Sequence, residues 1–463
     1  VNGNALSTFS IDVDRASYGN TRRFLNEGRV PPADAVRIEE LVNYFPYTLE
    51  TPRGKHPIAI TTEVAPAPWQ KHHQLVRIAL QARRIDMENL PANNLVFLID
   101  VSGSMSSPDK LPLVKESLRL LVHQMRAQDR VALVVYAGSA GLVLPSTSGA
   151  EKTVIMEAID RLESGGSTAG GAGLALAYRT AREHFMPEGN NRVILASDGD
   201  FNVGPSSDAE MERLIEARRK EGTYLTVLGF GTGNLQDAKM EKLAKAGNGN
   251  YAYVDNINEA KKTLVREMGA TLVTVANDVK LQVEFNPSAV RAYRLIGYEN
   301  RLLRNEDFAD DRKDAGDIGS GHTVTALYEV VPHGVETSAR IREADGSRYV
   351  TASTTRTATA GSELLFVKLR YKKPGAATSA LLTHPVRLAS AGQRTSDDFR
   401  FAASVASFGM LLRGSEYKGT TSAADVLSLA RGALGDDDGQ YRAEFVQLVE
   451  QWVRISRPGA EQR

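Results

Sequence analysis

The feature that most constrains this chain is a short apolar run that ends in a carboxylate. Leu95-Val-Phe-Leu-Ile99 contains no polar residue. It is too short for a free-standing helix and has the length of a strand buried on both faces. Such a strand belongs to a sheet covered by helices on both sides, which is an α/β fold. The run stops at Asp100, and Ser102 and Ser104 follow at alternate positions with Gly103 between them. In an open α/β sheet, ligands sit beyond the carboxyl ends of the strands, where this loop is expected. One carboxylate and two hydroxyls so closely spaced supply half of the oxygen shell that a hard cation such as Mg²⁺ requires. The plainer alternative is a turn capped by Asp and Ser.

Two further stretches decide between these readings. Gly165-Gly-Ser-Thr-Ala-Gly-Gly171 precedes a helical pattern and offers Thr168 as a third hydroxyl, with Ser167 beside it. Val193-Ile-Leu-Ala-Ser-Asp198 repeats the arrangement of an apolar strand ending in a carboxylate. With the three stretches in register, the sequence resembles the von Willebrand factor type A family. Its metal-ion-dependent adhesion site is Asp-x-Ser-x-Ser, then Thr, then Asp. The resemblance implies Asp100, Ser102, Ser104, Thr168 and Asp198 as ligands. Thr168 is preferred to Ser167 because the Thr-Ala step into the Gly-rich helix start is the family's usual form. It further implies Mg²⁺ as the cofactor, with Mn²⁺ or Ca²⁺ as substitutes, and a partner protein that presents Asp or Glu to the ion.

Around this block the hydrophobic period changes. Phe9–Val13 alternates like a strand, Asp14 or Ser17 caps a helix to about Glu27, and Ala35 to Phe45 reads as a second helix. Ile58 to Val64 and Val76 to Leu80 alternate as two antiparallel strands. From 93 to 270, strands alternate with helices, which predicts a doubly wound, mostly parallel sheet. The last helix of that block is expected over Asn258–Met268. Period-two segments return at Val279–Phe285, Val324–Val330 and Leu365–Tyr371, with an acidic, glycine-rich loop expected over Asn305–Gly321. The economical organisation has four parts: N-terminal strand and helices (1–50), a discontinuous β-sandwich (51–92 and 271–380), an inserted type A domain (93–270) and a C-terminal helical region (381–463).

Several chemistries are excluded. Lys plus Arg equals Asp plus Glu at 56 each, so no global field recruits nucleic acid or an anionic membrane. The absence of cysteine removes disulfides, Cys-ligated zinc and thiol catalysis. No apolar run approaches the roughly 18 residues of a membrane span. The Gly-rich stretch lacks the Gly-Lys-Ser/Thr ending of a phosphate loop, and the His-Glu-x-x-His and Gly-x-Ser-x-Gly signatures are missing. His72-His73 reads as a solvated pair in a loop. Asp12 and Asp14 invite a second metal site, although an exposed strand edge and a helix cap explain them more simply. Asp436-Asp-Asp-Gly-Gln440 opens like a calcium loop but has Gln447 where the closing Glu is required, so a turn between helices is expected.

Three segments narrow the resemblance: Ser7–Tyr18, Asn43-Tyr-Phe-Pro-Tyr47 and Asp198-Gly-Asp-Phe-Asn-Val-Gly204. They resemble the bacterial YfbK-like branch of the family. Members of that branch are often exported lipoproteins, which implies a bacterial cell-envelope location, periplasmic or surface, and a signal peptide or lipid anchor ahead of Val1. The function expected from all of this is a non-enzymatic, metal-dependent protein-binding module. The alternative is a structural or scaffolding component of the cell envelope in which the metal only braces the loops.

Overall fold

The computed structural model describes residues 5–86, 90–166, 170–199, 208–231, 237–266, 273–313, 315–337, 363–388 and 394–456. Its contacts divide the chain into two compact units, one of Val1–Val13, Asn20–Arg84 and Thr274–Arg463, the other of Asp14–Gly19 and Ile85–Val273. The chain begins with a strand, Leu6–Ser10 (β1), and a helix, Ala16–Asn26 (α1). A short helix, Ile38–Asn43 (α2), precedes the hairpin of Ile58–Ala67 (β2) and Gln70–Ala82 (β3).

The second unit grows from the apolar run. Asn93–Asp100 (β4) is followed by Leu111–Gln124 (α3), Arg130–Tyr136 (β5), Ala140–Ser148 (β6) and Lys152–Asp160 (α4). Gly170–Glu183 (α5), Asn190–Ser197 (β7), Asp208–Lys220 (α6) and Thr223–Phe230 (β8) continue the alternation. Asp237–Ala246 (α7), Tyr251–Val254 (β9) and Ile257–Lys261 (α8) complete it. The strands lie in the order β6-β5-β4-β7-β8-β9, parallel except for the edge strand β6. β4 is central, so its alternate side chains enter different cores. Leu95, Phe97 and Ile99 join the layer of α3 and α4, while Val96 and Leu98 join that of α5 and α6. None of the five is more than 2% exposed, as a strand covered on both faces requires.

The first unit resumes with Thr274–Phe285 (β10), Val290–Leu295 (β11), Leu302–Leu303 (β12), Gly316–Gly319 (β13) and Thr323–Pro332 (β14). Glu363–Lys372 (β15) and Ser379–Arg387 (β16) follow. Two antiparallel sheets result: β12-β1-β10-β15-β16, with β13 also on β10, and β11-β14-β3-β2. Each joins strands from before and after the α/β unit, β1 pairing with β10 and β3 with β14. Side chains of the two sheets meet face to face, with Phe285 stacked on Tyr293 at 3.7 Å between ring centroids and Phe9 tilted against Tyr328 at 6.4 Å. Asp397–Leu412 (α9), Ala423–Arg431 (α10) and Tyr441–Ile455 (α11) end the described chain. Phe401, Val405, Phe408 and Leu412 on α9 and Tyr441, Phe445 and Leu448 on α11 are buried, and Trp452 is half-buried. They pack edge to face, with Phe408 and Phe445 at 5.6 Å.

The structure corrects several expectations. His72 and His73 lie within β3, and His73 is fully buried with Nδ1 against Glu329. The hairpin simply runs further than its apolar alternation suggests. The stretch 305–321 is not one loop: a 3₁₀ turn at Asn305–Phe308 and strand β13 fall inside it. The helix expected over 35–45 shortens to α2, preceded by a 3₁₀ turn at Ala33–Ala35. That expected over 258–268 is α8 followed by a π-helical turn, Lys262–Arg266, with Met268 outside the described residues. β1 lies earlier than 9–13 and pairs on both sides, so it is not an exposed edge. β16 crosses residue 380, where the helical region was expected to begin. The Asp436–Gln440 stretch, by contrast, is the turn between helices that was expected, with Asp437 accepting from the amide of Ala443 at 2.9 Å.

Candidate metal centre

Adjacent parallel strands with matched register end at the same height, and this places the two carboxylates together. In the pairing of β4 with β7, Ile99 lies opposite Ala196. Asp100 and Asp198 therefore leave the sheet side by side at its carboxyl edge, Asp100 0% and Asp198 1% exposed. Burying two carboxylates is costly unless each is hydrogen-bonded or paired.

Asp100 is satisfied locally. Its Oδ1 accepts from the Ser102 amide at 2.9 Å, closing the loop into a tight turn. Its Oδ2 accepts from the Tyr136 hydroxyl at 3.1 Å and from Ser197 Oγ at 3.4 Å. Burial pushes the Asp100 carboxyl above the usual carboxylate range. Ser102 opposes this through its hydroxyl and amide, and the charge of Asp198 adds to the rise. Burial and the Asp100 charge also push the Tyr136 hydroxyl well above its ordinary value, so it stays a donor.

The hydroxyls of Ser102 and Ser104 converge at 3.0 Å. Neighbouring oxygens of an octahedron with Mg²⁺–O bonds of about 2.0–2.1 Å lie about 2.9 Å apart. The Asp100 loop thus presents hard oxygen donors at a spacing that fits such an ion. Its backbone is tied to the Gly-rich loop: Gly103 donates to the Gly166 carbonyl at 3.1 Å and Gly165 to that of Val101 at 2.7 Å. Thr168 itself lies outside the described residues. Among the described residues no three His, Cys, Asp or Glu side chains cluster as a metal site. A donor set made mainly of hydroxyls does not need such a cluster.

Asp198 is held differently. The ammonium of Lys110 donates to Asp198 Oδ2 at 2.8 Å and to the Ser104 carbonyl at 2.9 Å. The aliphatic stem of Lys110 lies against Gly231, where a Cβ would come within 2.4 Å of it. Sequence reasoning missed Lys110, Tyr136 and Ser197. A second carboxylate buried beside the first favours a nearby cation, and that was the one signal pointing to Lys110. Asp12 belongs to the first unit and lies 3.5 Å from Arg301 in an ion pair.

Residues 94–267 match the von Willebrand factor type A domain, residues 270–455 the C-terminal region of uncharacterized protein YfbK, and residues 1–77 a family described as von Willebrand factor. Over 455 residues the chain is 46% identical to the uncharacterized protein YfbK of Escherichia coli K12, covering 96% of this chain and 78% of that protein. The chain belongs to the YfbK family of von Willebrand factor type A domain proteins. It is also 28% identical to the uncharacterized protein sll0103 of Synechocystis, over 46% of this chain and 50% of that one. A von Willebrand factor type A structure from Catenulispora acidiphila covers 83% of the chain and 89% of its own length, with a TM-score of 0.43 and 17% identity. Type A domains are in general protein-interaction modules. No helix among the described residues is long and apolar enough to cross a membrane.

Proposed function

We propose that the type A unit is a metal-dependent protein-binding module that reads an acidic residue on a partner. The observation that carries this reading is the pair of Ser102 and Ser104 hydroxyls, 3.0 Å apart above the buried Asp100. Asp100, Ser102, Ser104, Thr168 and Asp198 would hold Mg²⁺, with Mn²⁺ or Ca²⁺ as substitutes. When bound, the ion supplies a Lewis-acidic centre with a position open to a carboxylate from the partner. Asp100 orients the loop through the Ser102 amide, and Tyr136 and Ser197 fix the carboxylate that does so. No residue is asked to move a proton, so the site needs no catalysis. A location in the bacterial cell envelope, with an anchor ahead of Val1, belongs to the same proposal and rests on the family resemblance.

The test is calorimetric. Asp100→Ala and Ser104→Ala are each expected to abolish stoichiometric Mg²⁺ binding with the fold retained, while Asp12→Ala leaves the stoichiometry unchanged. Undiminished binding in both site variants would remove the assignment. A second reading is favoured by the Lys110–Asp198 pair, which braces the loops with the chain's own atoms: a structural component of the envelope, with no reader function. A peptide with one acidic residue, offered with Mg²⁺ and again with EDTA, separates the two. Binding that EDTA abolishes supports the reader; no binding under either condition supports the scaffold.

A further inference from the structure

Lys110 is not part of the donor pattern that the sequence displays, yet it bonds to two members of the site, Asp198 and the Ser104 backbone. It stands at the start of α3, and its side chain is 10% exposed. Three neighbours restrain it: the Asp198 carboxylate at 2.8 Å, the Ser104 carbonyl at 2.9 Å and the backbone at Gly231. Gly231 has φ +75°, a conformation that favours glycine, and any larger residue there would collide with the lysine stem. The ammonium is thus locked onto one of the two carboxylates while the other, Asp100, is satisfied by neutral donors.

We propose that Lys110 is a positioning residue that sets how strongly the site binds a divalent ion, by keeping Asp198 neutralised. This rests on the metal-site reading above. The charge arithmetic gives it a direction. Two ionised carboxylates would cancel a doubly charged ion and leave nothing to attract a partner's carboxylate. With the Lys110 ammonium on Asp198, the protein contributes one net negative charge, and the loaded site keeps a positive charge for the partner. The same ammonium repels the ion, so the lysine weakens metal binding while preserving the field that an acidic partner meets. Its contact with the Ser104 carbonyl also fixes the backbone that carries one of the two converging hydroxyls.

The experiment compares the full chain with its Lys110→Met and Lys110→Gln variants, using Mg²⁺ alone as the probe. Glutamine keeps a donor for Asp198 and Ser104 without the charge, so it carries the test if the methionine variant does not fold. Calorimetry is expected to show Mg²⁺ bound about tenfold more tightly or better in both variants. Thermal unfolding is expected to show a loss of stability without metal that Mg²⁺ restores, with a larger gain than in the unaltered chain. A lysine that only supports the loop would give a loss that Mg²⁺ does not repair and an affinity equal to or weaker than the original. That result overturns the proposal and leaves the metal site standing. Binding by the variants but not by the original chain supports it in stronger form. Absence of Mg²⁺ binding in all three chains overturns the metal site and this proposal together.

Discussion

Gly231→Ala is the substitution through which the lock on Lys110 can be measured from a distance. The new methyl carbon would lie 2.4 Å from both Cγ and Cε of the lysine, so the side chain must leave its present path. Two costs add. A left-handed alanine in place of glycine costs about 1–2 kcal/mol. Loosening the ammonium from a buried carboxylate adds a share of the roughly 3–5 kcal/mol that an unpaired buried charge costs. We therefore expect about 3 kcal/mol or more in total. Gly222→Ala supplies the control. It has φ +91°, but its Cβ would meet only the Phe185 ring at 3.3 Å, so the backbone term of about 1–2 kcal/mol dominates. For a unit of this size each kcal/mol lowers the transition by about 2–4 °C. Differential scanning calorimetry of the type A transition should place Gly231→Ala roughly 6–12 °C below the parent, well beyond Gly222→Ala. Equal shifts in the two variants would refute the reasoning, because the lysine would then not be held where it lies.

Further expectations concern other elements of the chain. Burial pushes Asp129 up, but hydrogen bonds from the Arg126 side chain and from the Arg126 and Asn93 amides outweigh it and hold the carboxyl below its usual range. Folding lowers this pKa, so the stabilisation is complete above the ordinary carboxylate range and disappears as pH falls through the lowered value. Asp129→Asn should therefore cost about 2 kcal/mol at neutral pH and progressively less on acidification, followed by urea unfolding at stepped pH. A cost independent of pH would show that the charge is not what matters. Residues 271–388 expressed alone should lack a cooperative transition, since β14 is without β3 and β10 without β1. Co-expression with residues 1–84 should restore it, and a sharp transition from the fragment alone would contradict the pairing.

What the sequence makes legible here depends on how local the cause is. The Leu95–Ile99 run declares a doubly covered strand because burial on both faces leaves no room for polar residues. The Asp100, Ser102 and Ser104 donors follow from it in the next few positions. β6 is hidden because an edge strand tolerates Gly141 and Pro145, which break the usual signal. His73 is hidden for the opposite reason: its partner Glu329 is 256 positions away, and nothing around a histidine pair tells a buried hydrogen-bonded imidazole from a solvated turn. Lys110 combines both difficulties, as an ordinary residue before a helix whose partner lies 88 positions on.

The interleaving of β3 with β14 has a consequence for how the chain is made. Roughly 240 residues separate the end of β3 from the start of β14, and a ribosome adds about 5–20 residues per second. For roughly 10–50 s the β2–β3 hairpin waits with one long edge open and its apolar face uncovered. During that interval the type A unit between them can emerge and fold. The first strand pair to form thus belongs to a sheet that is completed only after the type A unit has been made, and the growing chain carries an adhesive β edge for about half of its synthesis. Slowing translation after residue 82 should therefore lengthen the vulnerable period and raise the demand for a chaperone that covers strand edges.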